Sequence, residues 1–282
     1  MTVARPIIVV FLGLMIALGA SAERAVRAQD DVPVKTLVAR TADYVARYQD
    51  EFSTLVADEL YTQRASGAGT QERVIRGELF LTYITAERVW MALHDVAEVD
   101  GQPVPDRDDL RALLGRGPTQ ALGRELARRN ARFNIGGIFR NFNEPTFALQ
   151  VVSARHMARF DFRRGRTALD AGQVPGLVAL DFQSRRDETI VHNPSGEAVA
   201  MRGTITVEAA TGGVRATRLT LRDAGTNAEL RTYYEHDAKT ALWVPTSLAE
   251  RYERRVGNRV EVITAYSTYT NYRRFQASGR VK

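Results

Sequence analysis

Cysteine is absent from the chain. That excludes a disulfide framework, and it also excludes the lipid-bearing cysteine that a bacterial lipoprotein carries just after its leader. Stability has to come from a core, and 282 residues at 44% apolar composition suffice for one large core or two modest ones. Histidine is scarce as well. His94, His156, His192 and His236 stand apart in sequence, and no H-E-x-x-H occurs, so a zinc site would have to be assembled from distant segments. Lysine is limited to Lys35, Lys239 and Lys282, so arginine carries the net charge of +6. Net charge governs non-specific association rather than fold, and this mild excess allows peripheral contact with anionic lipid or cell-wall polymer.

The common catalytic signatures are missing too. No G-x-S-x-G elbow, no P-loop and no G-x-G-x-x-G after a strand is present, so the chain lacks the usual marks of a serine hydrolase or a nucleotide-binding protein. Ser195 lies in the turn "HNPSGE" close to His192, but in an extended chain His192 is poorly placed to serve as base for a nearby nucleophile. The stretch "AEVDGQPVPDRDD" superficially suggests a calcium loop. With Gly101 at the sixth position, Val96 falls first and Arg107 twelfth, where carboxylates are required. No metal or cofactor is implied.

What is present begins with a leader. Arg5 and Pro6 precede an uncharged apolar run from Ile7 to Ala20, followed by Ser21 and Ala22. A basic start, an apolar middle and an A-x-A site make residues 1–22 a secretory signal peptide, with a second possible cut after Ala28. The run falls short of the roughly 20 apolar residues needed to span a bilayer. The expected address is the periplasm or the medium, where nucleic acid is not an expected partner.

Residues 33–50 read as one amphipathic helix, with Leu37, Val38, Tyr44, Val45 and Tyr48 at helical spacing and Pro33 at its start. Three strand-like runs follow, "FSTLVADELYTQ", "VIRGELFLTYI" and "RVWMALHDVAEV", and they end at the turn "DGQPVP". Asp106 then fits a helix N-cap, with Asp108 and Asp109 in the first turn and Leu110, Leu113 and Leu114 buried. A second helix is expected over 118–134, with Leu122, Leu126 and Phe133 inward, Arg124, Arg128, Arg129 and Arg132 outward, and Gly136 and Gly137 at its end. The stretch "EPTFALQVVSA" fits either a third short helix or an extended pass. Beyond residue 157 seven β-rich runs alternate with Gly, Pro, Asn and Asp clusters, a spacing of consecutive antiparallel hairpins with no room for crossover helices. The chain from 33 to 277 reads as a single α+β domain, a monomer.

One internal echo touches chemistry. "ELYTQR" (Glu59, Tyr61, Arg64) and "ERYERR" (Glu250, Tyr252, Arg255) both spell E-x-Y-x-x-R, and in a strand the Glu and Tyr share a face. The plain expectation is an exposed ladder of polar and aromatic pairs. The sharper one pairs Glu59 with Glu250 in a cleft, about 5 to 9.5 Å apart if the reaction were glycosidic. In "YSTYTNYRRFQ" four aromatics stand three residues apart. As a strand this sends Tyr266 and Tyr272 to one face and Tyr269 and Phe275 to the other, unless a bulge intervenes.

The series "VDGQPV", "RFNIGG", "NFNEPTFAL", "RFDF", "LWVPTSLAERY" and "YTNYRRFQ", in this order after a leader, resembles a group of uncharacterised exported bacterial proteins over residues 35 to 277. One long helix, then strands, then hairpins ending in an aromatic strand looks like the periplasmic lipoprotein-carrier (LolA/LolB-like) architecture. That resemblance implies a strongly curved antiparallel sheet, an unclosed half-barrel, with an N-terminal helix and two or three further helices packed on it. It also implies a non-enzymatic protein that binds an apolar or amphipathic ligand, a lipid or a lipoprotein acyl chain, in the hollow. Trp90, Phe160, Phe162, Phe182 and Trp243 are the aromatics expected to line it. A scaffold with a self-filled core, and an envelope-polymer hydrolase using Glu59 and Glu250, are the other expectations.

Overall fold

The computed structural model describes residues 32–274 apart from 53–54, 68, 85–88, 106, 108–109, 116–118, 139, 141–143, 170–173, 186–187, 194 and 224. The leader at 1–22 with its alternative cut at 28, the cap at Asp106 with Asp108 and Asp109, and Phe275 therefore lie outside the described residues.

Helix α1 spans Val34–Phe52 and buries Leu37, Thr41, Val45, Tyr48 and Phe52, one stripe at three- and four-residue spacing. Strands β1 (Leu55–Ser66), β2 (Thr70–Ile84), β3 (Val89–Val99) and the two-residue β4 (Gln102–Pro103) follow as antiparallel neighbours. Helices α2 (Leu110–Gly115) and α3 (Gln120–Asn130) come next, with a 3-10 turn at Phe147–Val152 where the sequence left a short helix or an extended pass open. The second half is a meander: β5 (Phe160–Arg164), β6 (Leu177–Ser184), β7 (Ala200–Glu208), β8 (Val214–Asp223), β9 (Thr226–Asp237), β10 (Leu242–Val256) and β11 (Arg259–Arg274).

All eleven strands form one antiparallel sheet in the order β4-β3-β2-β1-β11-β10-β9-β8-β7-β6-β5. The meander is joined to the first strands through β1 and β11, so β4 and β5 are the two edges and the sheet does not close. Helix α1 runs across the inner face from one end of the order to the other. Near its start Arg164 of β5 donates to the Val32 carbonyl at 3.0 Å, and at its end Phe52 meets Trp90 of β3. Nine inter-strand steps would set β5 and β3 roughly 43 Å apart in a flat sheet, whereas nineteen residues of helix extend only about 28 Å, so the sheet curls around α1.

Every second residue of the strands points into this curl. Leu55, Ala57, Leu79, Leu81, Trp90, Phe182, Ile205, Leu219, Leu230, Leu248 and Ile263 join the α1 stripe in one continuous core. The alternate residues Val56, Phe80, Met91 and Leu93 form a second cluster on the outer face, covered by Leu110 and Leu114 of α2 and Leu126 of α3. Helix α3 hugs β3 where β4 leaves it unpaired: Asn130 donates to the His94 carbonyl at 2.8 Å, and Gly123 is pressed so close to β3 that a Cβ there would overlap the Met91 sulfur. A helix on an open sheet edge blocks unwanted strand pairing.

In β11 the odd positions Ile263, Ala265, Ser267 and Tyr269 face inward, and Tyr266 is 46% exposed. One extra residue then enters the strand, since Val56 pairs with Arg273 while Asp58 pairs with Thr270. Asn271 takes up the bulge with φ 51, which an asparagine tolerates better than most residues. The bulge flips the parity, so Tyr272 joins Tyr269 on the inner face with both almost fully buried. Simple alternation would have separated them.

Candidate functional site

The E-x-Y-x-x-R echo places its carboxylates together at the heart of the first site. Glu59 on β1 and Glu250 on β10 both face inward on the two strands that flank β11. They are only 7% and 4% exposed, and Tyr61 and Tyr252 are buried beside them, whereas Arg64 and Arg255 point to solvent. The exposed ladder expected from sequence is therefore overturned. Strands β1, β11 and β10 are central in the sheet, and Phe133, Ile135 and Arg140 lie over β1, where the Phe133 carbonyl accepts from Gln63 at 3.1 Å and the Ile135 amide donates to Gln63 Oε1 at 3.4 Å.

Both Glu59 oxygens are engaged. Oε2 lies 2.6 Å from His94 Nδ1 and Oε1 accepts from the Ser267 hydroxyl at 3.0 Å. Glu250 accepts from the Tyr252 hydroxyl through Oε2 at 2.6 Å, while Oε1 is buried with no hydrogen-bond partner among the described residues. Arg140 supplies positive charge from the covering loop. It donates to the Ile135 carbonyl at 2.9 Å and to Gln63 Oε1, and it is buried itself. Burial raises the Glu250 pKa above the usual carboxylate value and the neighbouring Glu59 adds to the rise, while the Tyr252 hydrogen bond and Arg140 oppose it. Burial likewise pushes Tyr61 and Tyr252 well above the usual phenol range. A cavity of about 70 Å³ lies between these groups and α3, lined by Tyr61, His94, Asn130, Arg140, Glu144 and Glu250 among others. At roughly 10 to 15 Å³ per water this volume takes a handful of waters.

A wider groove of about 610 Å³ adjoins it, and Ala92, Leu93, Ala127 and Glu144 line both spaces. Its floor carries Trp90, Met91, Ala92 and Leu93 of β3, together with Phe147 and Ile190. Strand β4 covers only Glu98 and Val99 of β3, so the stretch 90–93 lies at the open edge of the sheet. Across the groove stand Arg155, His156 and Arg159, which lead into the other edge strand, β5. The groove thus occupies the gap where the half-barrel fails to close. Arg124 and Arg128 of α3 border it, and Arg159 donates to the Thr189 carbonyl at 2.8 Å. His156 is held down to about 4 by burial and by the adjacent Arg159 and Arg155, so it stays neutral at ordinary pH.

Glu144, in the shared wall, accepts from the Thr146 hydroxyl at 3.0 Å, and burial lifts its pKa to about 7 against the usual 4.5. Its folded form therefore holds a proton that the unfolded form has released between these two values. The stability it contributes is complete below about pH 4.5 and is lost as the pH rises through about 7. A shift of this size corresponds to about 3 kcal/mol, reduced to about 1–2 kcal/mol by the residue's partial exposure. Urea unfolding of Glu144→Gln should match wild type at pH 4.5 and exceed it by that margin at pH 8. A constant difference at both pH values would refute the assignment.

The five aromatics expected to line a cavity are all inside the half-barrel or at its margin. Trp90 packs edge-on to Phe52 at 5.8 Å and reaches the groove. Phe160 meets Phe182 in a T-shaped contact at 5.9 Å and Phe162 at 6.5 Å. Trp243 is half-buried, with the Arg215 guanidinium 3.5 Å above its ring and His236 at its edge. Ser195 and His192 form no nucleophile–base pair: the Ser195 amide donates to Asn193 Oδ1 in a local turn, and His192 lines the groove. Among the described residues no cluster of His, Asp and Glu could hold a metal ion. Sequence reasoning missed Arg140, His94, Glu144 and the arginines across the groove. The one available signal was the repeated R-x-x-x-R spacing, Arg124 to Arg128 and Arg155 to Arg159.

Solved structures of similar architecture come from the LolA superfamily and its neighbours. A domain assigned to outer membrane lipoprotein sorting from Vibrio parahaemolyticus is 11% identical, with 88% of this chain and 96% of that one covered and a TM-score of 0.46. A LolA superfamily protein from Nitrosomonas europaea is 10% identical over 83% and 93% of the two chains, with a TM-score of 0.32. A DUF1329 family protein from Desulfovibrio piger is 10% identical over 86% and 93%, with a TM-score of 0.35. No family model and no curated protein matches the chain. Among the described residues no helix is long and apolar enough to cross a membrane.

Proposed function

We propose that the chain is an exported protein that binds an apolar or amphipathic ligand, a lipid or an acyl chain, inside the half-barrel. The observation that carries this reading is the gap between the two sheet edges. Its volume falls within the roughly 300–1,000 Å³ of ordinary ligand sites, and its floor leads to the aromatic interior at Trp90 and Phe147. In this conformation α1 and its aromatic stripe fill the centre of the curl, so a ligand seated deeper displaces part of α1. Trp90, Phe160, Phe162, Phe182 and Trp243 are then the side chains that would meet it. On this reading residues 1–22 are removed on export, the domain spans 33–277, and the monomer works in the periplasm or the medium, touching membrane surface peripherally.

The hydrolase reading is disfavoured by the geometry. Glu59 is committed to His94 and Ser267, and the space beside Glu250 admits water but no polymer. The scaffold reading shares the packed interior and differs in ligand uptake. Native mass spectrometry of protein purified without detergent is expected to show an acyl-lipid adduct that organic extraction removes. Bare protein in that spectrum, together with no uptake of a fluorescent fatty acid by delipidated protein at micromolar concentration, would leave the scaffold.

A further inference from the structure

The charges around the gap are one-sided. Arg124 and Arg128 border it along α3 and Arg155 and Arg159 along the opposite bank, and Glu144 is the single acidic residue among its described lining groups. Glu125 offsets part of this by pairing with Arg128 at 2.8 Å and with Arg129 at 3.3 Å. On the other bank the described hydrogen bond of Arg159 goes to the Thr189 backbone carbonyl and not to a carboxylate. Below the arginines lie Trp90, Ala92, Phe147 and Ile190, so a basic rim surrounds an apolar floor. A fatty amine would meet like charge at this rim, and a neutral amphipath would gain nothing from its charge. A ligand with an anionic head satisfies both layers at once, because guanidinium groups match carboxylate and phosphate geometry.

We propose that the gap is the binding site of a single-chain amphipath with an anionic head group, its head on Arg124, Arg155 and Arg159 and its tail directed past Trp90 and Phe147. This rests on the ligand-binding reading above and specifies the ligand's charge. The state of Glu144 accords with it: a carboxyl that is largely protonated up to about pH 7 adds little repulsion beneath an anion. Because the arginines lie at a solvent-exposed rim, the head-group contribution should weaken as salt is raised.

The test is a set of probes sharing one tail: lauric acid, dodecyl maltoside and dodecyltrimethylammonium, each below its micelle concentration, titrated calorimetrically into delipidated protein, with inorganic phosphate as a fourth arm. Lauric acid should bind most tightly, dodecyltrimethylammonium least, and phosphate only weakly. The double variant R155E/R159E should lose about 10–30-fold in laurate affinity while holding its affinity for the maltoside. R222E, an exposed charge reversal on β8, serves as the control for general charge and should change neither. Thermal unfolding of each variant verifies that it is folded, and the single variant R124A, expected to lose a few-fold, replaces the double one should that fail to fold. Equal affinity for all three amphipaths, or phosphate binding as tightly as laurate, overturns the anionic-head proposal while leaving the ligand-binding reading in place. No binding by any amphipath overturns both.

Discussion

Arg140→Met should lower stability by about 3–5 kcal/mol at neutral pH, the range seen when one partner of a buried charged group is removed. Arg140 is almost wholly buried, and the substitution removes the hydrogen bonds to the Ile135 carbonyl and to Gln63 Oε1. The Ile135 carbonyl is then orphaned, at a cost of about 1–3 kcal/mol, whereas Gln63 Oε1 still accepts from the Ile135 amide. The guanidinium also provides the positive charge that opposes the rise in the Glu250 pKa. Without it Glu250 is pushed further toward its neutral form, so the loss should be larger at pH 8 than at pH 5. Adding Glu250→Gln to Arg140→Met removes the uncompensated carboxyl and should recover part of the loss, a coupling between the two sites. Urea unfolding of the two single variants and the double variant measures it. A loss under about 1 kcal/mol for Arg140→Met, or strict additivity in the double variant, would mean that Arg140 does not serve the carboxylates.

The parts of this arrangement legible in the sequence are those with local causes. The α1 stripe from Leu37 to Tyr48, the hairpin meander and the turn at Asp100 and Gly101 each follow from spacing or turn chemistry within a few residues, whereas Phe52, which the sequence assigned to the following strand, is the last residue of the helix. The pairing of β1 with β11 is different, because it joins segments more than 180 residues apart and nothing local announces it. Yet that pairing brings the two E-x-Y-x-x-R motifs to the strands either side of β11. The echo was visible in the sequence, and its burial was not, since exposure depends on a loop placed over the sheet from elsewhere. The bulge at Asn271 escaped for a related reason. Its neighbours carry neither glycine nor proline, and the extra residue is apparent only against its partner strand. The arginines of α3 read correctly as an outer face, but their pairing with Arg155 and Arg159 across the gap follows from two chain segments meeting at opposite sheet edges.

Phe52→Ala should cost about 3–5 kcal/mol, and the lost stability should be partly restored by an apolar ligand. Phe52 is fully buried at the last turn of α1. Its ring stacks on Tyr48 at 4.2 Å, meets Trp90 edge-on at 5.8 Å and lies 6.4 Å from Tyr272. Elsewhere α1 is held by polar contacts at its other half, where Arg40 donates to the Ala209 carbonyl at 2.6 Å and Gly212, at φ 74, lets the turn approach the helix backbone. Truncating Phe52 therefore empties a space lined by Trp90, Tyr48 and Tyr272 while leaving the far half of α1 pinned. An apolar cavity stays dry and accepts an apolar guest of matching size. A guest that binds only the folded chain raises stability by RT ln(1 + [L]/Kd), which is about 2.7 kcal/mol at a hundredfold excess over Kd. Thermal unfolding with and without lauric acid reads both effects: the melting temperature of Phe52→Ala should fall below wild type in buffer and rise further than wild type's on adding ligand. If laurate shifts the variant no more than it shifts wild type, the space under the end of α1 is no part of the ligand's path from the gap into the half-barrel.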